Sequence, residues 1–153
     1  MDMEEQVKLW GLPEALKEEE ITYHFHEGME TEYGIKFTLK NKNGDDIFVM
    51  DFLSPSKGIE KLKKENSPSY LRLNFIYVPD PEDRRKGIAS YFLERLAEFA
   101  AKIKYVGIRM DVCPNQKNIS GYNRKNSMNK EELKTFYKKH LGIERSLEVI
   151  FDS

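Results

Sequence analysis

Three basic residues in succession, Arg84, Arg85 and Lys86, are followed by Gly87, Ile88 and Ala89. The segment before them alternates like a strand and the segment after them has a helical period, so this is a strand-to-helix junction. Backbone N–H groups in the first turn of a helix have no intrahelical acceptor. Together with the positive end of the helix dipole they form an anion site. Gly87 and Ala89 are small and allow close approach to the backbone, and the three cations suit a polyanionic phosphate. The same six residues also describe a plain helix start that carries exposed basic side chains.

Other residue types capable of chemistry are scattered. His24 and His26 share one face of a strand at a spacing that suits two metal ligands, but no third ligand of matching spacing accompanies them, so a solvated face is the simpler reading. Cys113 has no Cys-His signature around it and reads as a small buried side chain at a strand end. Asp51 is the odd polar residue on an apolar strand, and Asp111 lies on a later strand. Either can orient or relieve an ammonium group, and either can equally face solvent as an edge residue. Tyr122, Asn123, Arg124 and Lys125 make a small basic and aromatic loop that can reach a ligand or simply be surface.

These candidates need elements to hold them. Residues 1–20 are charged, with Val7, Leu9, Trp10 and Leu16 as apolar anchors and Pro13 as a divider, which predicts one or two short helices. Ile21, Tyr23 and Phe25 alternate with polar partners, as do Tyr33, Ile35, Phe37 and Leu39, giving two strands with one wet face each. Asn43-Gly44 is the pair favoured where a tight hairpin needs positive φ twice. A third strand over 47–53 is apolar on both faces except at Asp51, and should lie deeper in a sheet. Pro55, Gly58 and Pro68 frame a short charged helix at 59–65, and 71–78 forms a fourth strand.

The strongest helix follows the basic segment. Ile88, Phe92, Leu96, Phe99 and Ile103 recur at spacings of 4, 4, 3 and 4, a single apolar stripe. Residues 106–112 form a fifth strand and 115–128 a polar loop. Asn129 and Glu132 resemble a capping box for a helix with Leu133, Phe136, Tyr137 and Leu141 on one face, and Gly142 suits its end. Residues 147–151 are a last strand. The fourth strand, long helix and fifth strand make a βαβ unit, locally parallel and right-handed.

The 153 residues make one domain, 1–153, with residues 1–20 as its N-terminal helical segment. A chain of this size buries about 70% of its unfolded surface, so it needs neither metal nor disulfide to fold. With 39% hydrophobic and 33% charged residues it is no disordered tail. A net charge of −1 gives no basic field for nucleic acid, and no aromatic RNA-binding motif is present. One cysteine excludes an intramolecular disulfide and fits a reducing compartment, with the cytoplasm as the expectation. No apolar run nears the ~18 residues of a membrane span, and the acidic start is unlike a signal peptide.

The stretch I-Y-V-P-D-P-E-D-R-R-K-G-I-A-S-Y-F-L-E-R-L resembles the strand–loop–helix core of the GNAT N-acyltransferase superfamily. R-R-K-G-I-A is similar to its Arg/Gln-x-x-Gly-x-Gly/Ala acyl-coenzyme A signature, with Pro81 three residues before Arg84. F-Y-K-K-H-L-G-I resembles its closing motif, and the resemblance spans residues 71–153. It implies an α/β (α+β) fold with a mixed, mostly antiparallel central sheet, a splayed parallel pair at the fourth and fifth strands, and helices on both faces. It also implies that backbone amides of Arg85, Lys86, Gly87, Ile88 and Ala89 hold the coenzyme's pyrophosphate, with Arg84 and Ser90 flanking them. Tyr77 and Val78 would pair with the pantetheine arm. Tyr137 would protonate the departing thiolate, and Asn129 is a further candidate coenzyme contact.

This sequence departs from the superfamily pattern at three places. Val78 to Gly87 and Tyr137 to Gly142 are each one residue longer than usual, and Asn74 stands where some members carry a glutamate base on the fourth strand. Tyr137 also fits a plain core position on its helix's apolar stripe. The expectation is an acetyl-coenzyme A-dependent N-acetyltransferase acting on a primary amine by direct attack. Its acceptor would be a small molecule or a peptide, with acetyl-CoA as co-substrate, no metal, no nucleic acid and no membrane partner. The alternative is a non-catalytic acyl-CoA-binding sensor or interaction module of the same fold. The superfamily commonly dimerises, so a homodimer is compatible with the resemblance.

Overall fold

The alternating segments assemble into a six-stranded mixed sheet. In the computed structural model, which describes residues 2–27, 33–54, 69–112 and 128–152, the strands are β1 (Thr22–Phe25), β2 (Ile35–Lys40), β3 (Asp46–Leu53), β4 (Tyr70–Tyr77), β5 (Gly107–Met110) and β6 (Glu148–Phe151). They lie side by side in chain order. The pairings from β1 through β4 are antiparallel, and β4, β5 and β6 run parallel. The α/β class, the mostly antiparallel sheet and the parallel β4–helix–β5 unit therefore stand as expected. A parallel link needs a crossover, and the 15-residue helix α2 (Ile88–Lys102) supplies it.

The β2–β3 turn is built differently from the tight pair foreseen. Gly44 has φ +83°, whereas Asn43 does not enter the left-handed region. Asn41 organises the turn instead, its Oδ1 accepting from the Asn43 and Asp45 amides at 2.9 and 3.0 Å. A short polar side chain that folds back on its own loop makes the second positive φ unnecessary.

The core lies on one face of the sheet. Phe37, Phe48, Met50 and Phe52 are fully buried there, and Phe92 of α2 stacks on Phe48 with ring centroids 4.7 Å apart. Of the expected stripe, Ile88, Phe92, Leu96 and Phe99 are buried, and Ile103 is partly buried just past the helix end. The first helix, α1 (Met3–Leu9), is capped by Asp2, whose side chain accepts from the Glu5 amide at 2.8 Å. Trp10 after it stacks on Phe52 at 5.7 Å and meets Phe99 edge-on. Tyr23 Oη donates to the Gly11 carbonyl at 2.5 Å, and Tyr91 Oη donates to the Trp10 carbonyl, so β1 and α2 each hold the segment following α1. Short 3-10 turns follow at Glu14–Leu16 and Pro81–Asp83.

The last helix, α3 (Lys130–Leu141), begins with the foreseen capping box: Glu132 N donates to Asn129 Oδ1 at 2.8 Å and Asn129 N to Glu132 Oε1 at 3.1 Å. It packs beside α2 and over β6, where Lys134 and Lys138 lie above the Phe151 ring. Among the described residues, α1, α2 and α3 all cover the face that carries Phe48 and Phe52. The short helix foreseen at 59–65, the remaining candidate for the other face, lies outside the described residues. The opposite face carries His24, His26, Lys36, Thr38, Asp51, Arg72 and Arg109 by strand alternation. Among the described residues no helix is long and apolar enough to cross a membrane.

Candidate functional site

The parallel β4–β5 ladder is short. It runs from Tyr70↔Gly107 to Leu73↔Met110, while β4 continues to Tyr77. Among the described residues the β4–β5 ladder therefore ends before Asn74. That end coincides with an irregularity on the other side of β4. Phe52 pairs with Leu73 and Asp51 with Phe75, leaving Asn74 as an extra, bulged residue. A bulge bends its strand and raises its twist.

The chain beyond β4 is folded into a tight connection. Asp80 caps the 3-10 turn Pro81–Asp83, accepting from Glu82 N at 2.9 Å. Arg84 then reaches back to the start of its own loop. Its Nε donates to the Val78 carbonyl at 3.0 Å and an Nη to the Pro79 carbonyl at 3.3 Å, with the guanidinium 6.0 Å from the Tyr77 ring. The planar fork of the guanidinium ties the end of β4 to the start of α2. Sequence reasoning put Arg84 beside a phosphate and missed this clamp. The proximity of a strand end and a basic residue six positions later is a weak signal for it.

At the helix start the backbone twists through two left-handed residues, Arg85 at φ +70° and Gly87 at φ +82°. A side chain at Gly87 would meet strain there even though its Cβ would make only an ordinary contact, with Ser90 Oγ at 3.7 Å. Alternation of this kind turns successive amides toward one side, the geometry of an anion-binding nest. Gly87 is the N-cap of α2 and provides no side-chain cap, and the first turn carries no acidic residue. By contrast α1 and α3 have Asp2 and Asn129 caps and acidic first turns. Ser90 Oγ donates to the Gly87 carbonyl at 3.1 Å, so its hydroxyl proton is used within the turn.

The charges here are more balanced than the run of three cations suggests. Lys86 Nζ lies 2.9 Å from Asp83 Oδ1; the hydrogen bond and charge of Asp83 raise the Lys86 pKa. Arg85, Lys86 and Gly87 are exposed, whereas Ile88 is buried in the core. Arg85, Lys86, Gly87, Ala89 and Ser90 thus cluster at the helix start, and Tyr77 and Val78 lie at the end of β4 beside them. The Val78 carbonyl, one of the groups foreseen for the pantetheine arm, already accepts from Arg84.

The other foreseen residues are placed elsewhere. Tyr137 is 7% exposed and belongs to the core cluster, beside Phe136 at 5.9 Å. Asn129 is occupied by its capping role. Asp111 pairs with Arg72 at 2.8 Å, within a network in which Asp152 also takes Arg72 and Arg109. His24 and His26 meet edge-on at 5.4 Å, and His26 Nε2 lies 2.9 Å from Thr38 Oγ1. Burial and the nearby Lys36 lower the His26 pKa. No group of three His, Cys, Asp or Glu side chains able to hold a metal is gathered among the described residues. Asp51 is half-buried, and burial raises its pKa against the lowering influence of the Lys36 charge and the Asn74 amide. Cys113 and the loop residues Tyr122, Asn123, Arg124 and Lys125 lie outside the described residues.

No family model matches this sequence, and no curated protein matches it.

Proposed function

We propose that the protein is an acetyl-coenzyme A-dependent N-acetyltransferase that acylates a primary amine without a covalent enzyme intermediate. The observation that carries this reading is the junction of the far end of β4 with the start of α2. The β4–β5 ladder ends at Leu73–Met110 while β4 runs on to Tyr77, and the adjoining α2 start is left without a side-chain cap or acidic residue. An extended amide-bearing arm can pair with the first while its pyrophosphate rests on the second.

In this reading Arg85, Lys86, Gly87, Ile88, Ala89 and Ser90 surround the pyrophosphate, and Arg84 fixes the distance between that anion site and β4. Tyr77 and the Val78 amide guide the arm so that the thioester carbonyl lies near the bulge, where strand amides polarise it. Catalysis is then chiefly positioning of a neutral amine against the carbonyl. Tyr137 is the proposed proton donor to the thiolate; a phenol of pKa ~10 is a suitable acid for a thiol whose pKa is ~8.5. The single cysteine fits a cytoplasmic setting. The core position of Tyr137 and the absence of a β4 carboxylate favour a second reading, an acyl-CoA-binding module without turnover.

Thermal unfolding with acetyl-CoA tests both. Ligand at about 100 times its dissociation constant adds about 2.7 kcal/mol, several degrees in a domain of this size. The shift is expected in the native protein and lost in a folded Gly87→Glu variant, whose carboxylate occupies the anion site. Absence of a shift in the native protein at millimolar ligand overturns both readings. A shift without amine-dependent release of thiol, unaltered in Tyr137→Phe, leaves the binding module.

A further inference from the structure

The end of the sheet away from β5 carries a second cluster of ligand-type side chains. Among the described residues β1 is an edge strand, paired only with β2. His24 is exposed on it, and His26, half-buried, continues the same face just past its end. The His26 amide still donates to the Lys36 carbonyl at 3.0 Å, so this residue is held in the ladder. Alternate residues of a strand point to one face, and the two imidazoles meet edge-on with ring centres 5.4 Å apart and planes at 79°. His26 Nε2 lies 2.9 Å from Thr38 Oγ1. Thr38 stands opposite His24 on β2 and is 3% exposed. A buried hydroxyl thus holds the His26 ring and leaves Nδ1 as the nitrogen available to a ligand.

We infer that His24 and His26 form a two-imidazole chelate for one divalent transition-metal ion of the nickel, copper or zinc type, with water at the remaining positions. Nitrogen ligands suit these ions, whereas magnesium and calcium take oxygen. Two imidazoles bound at ~2.1 Å and a tetrahedral angle have ring centres about 5 Å apart. The rings already stand close to that spacing, so the pair needs little rearrangement. With the ion on Nδ1, His26 Nε2 carries the proton and donates it to Thr38 Oγ1, the outer hydrogen bond that fixes the tautomer and orientation of a ligating imidazole. Burial, with Lys36 and His24 nearby, lowers the His26 pKa and keeps that ring in its neutral, ligating form at pH 7. The other charges on this face are Lys36 with its cross-strand partner Asp51, and Lys40, which is paired with Asp46 at 2.7 Å. Of these, Lys36 is the one that opposes an added cation beside His26.

This site is independent of the acyltransfer reading and uses none of its residues. An ion that the folded strand holds better than the unfolded chain stabilises the fold by mass action. Tyr23, between the two histidines, points to the opposite face and donates to the Gly11 carbonyl. Steadying β1 therefore also steadies the segment that follows α1.

The test titrates tag-free protein with nickel and zinc chlorides at neutral pH, by calorimetry and by NMR of the imidazole nitrogens, with magnesium chloride as the control. The expected result is one nickel or zinc ion per chain, with the His24 and His26 signals moving, those of His140 still, and no response to magnesium. His24→Ala and His26→Gln should each raise the Kd at least tenfold, the glutamine retaining a partner for Thr38. Thr38→Val, which keeps both imidazoles, should weaken binding about tenfold, as loss of an outer hydrogen bond does. Lys36→Gln should tighten it severalfold by removing the opposing charge. Hydrogen exchange should slow in β1 and at Trp10 and Gly11 when nickel is added. A native protein that takes up neither ion at millimolar concentration overturns the inference. A Kd unmoved by both histidine variants does so too, since the ion then sits elsewhere, at His140 or Cys113 for instance. Loss on removing one histidine but not the other means a single imidazole and also overturns the chelate.

Discussion

Arg84 shows how one side chain can shape a candidate site through its own backbone. Its guanidinium donates to two main-chain carbonyls at the start of the loop it closes, and so sets where the α2 amides lie relative to the β4 edge. Hydrogen bonds to a charged donor contribute about 1.5–3 kcal/mol each when partly buried. Arg84→Ala is therefore expected to lower stability by roughly that amount in urea denaturation and to weaken the acetyl-CoA thermal shift. Arg84→Lys should recover little of either, since a single ammonium lacks the fork that spans two carbonyls. Recovery by lysine would mean that charge, not geometry, is what the position supplies. Arg84 and Gly87 were visible in the sequence as members of a spaced motif. What Arg84 bonds to was not, because a side chain's choice between an external phosphate and its own backbone depends on how the loop closes.

The elements were largely legible because their periods are long and clean. The α2 stripe and the Asn129–Glu132 capping box appear where the spacing puts them, since both are decided within a few residues. The Asn41-centred turn, the bulge at Asn74 and the parallel direction of β6 were not foreseen; each depends on a partner distant in sequence or on a side chain folding back. Gly107 illustrates such a dependence. A Cβ added there would overlap the Glu148 carbonyl and crowd the Glu148 Cβ, so the close contact of β5 with β6 demands a bare Cα. Gly107→Ala is expected to cost about 1–3 kcal/mol, the usual penalty of forced overpacking. Calorimetry should show this, with hydrogen-exchange protection falling first in β6 and at the α3 contacts that cover it. A neutral substitution would mean that β6 is free to shift.

Across the whole molecule the two faces of the sheet differ in chemistry. One is sealed by aromatic packing beneath the helices; the other carries charge, including a network in which Arg72 and Arg109, from β4 and β5, converge on Asp152 beyond β6. The Arg109 hydrogen bond, helped by Arg72, lowers the Asp152 pKa below its usual value near 3.8. A carboxylate whose pKa is depressed on folding stabilises the folded state above its unfolded pKa, and that contribution is lost as pH falls through the folded value. Asp152→Asn should therefore be less stable than the native protein at pH 7. The gap should narrow once the pH drops below about 3.9, and salt should diminish it at neutral pH because the network is exposed. A gap independent of pH would assign Asp152 a packing role.

The clasp on the N-terminal segment bears on the order in which a new chain can fold. Trp10 and Gly11 are held by hydroxyls from Tyr91 and Tyr23 and by the rings of Phe52 and Phe99. During synthesis the first helix therefore leaves the ribosome about eighty residues before its Tyr91 anchor exists, since that pair is 81 positions apart. The antiparallel strands can zip together while α1 waits. The segment around Trp10 thus settles only after α2 is made, and a nascent chain halted before α2 has emerged presents Trp10 and Phe52 to whatever chaperone is nearest.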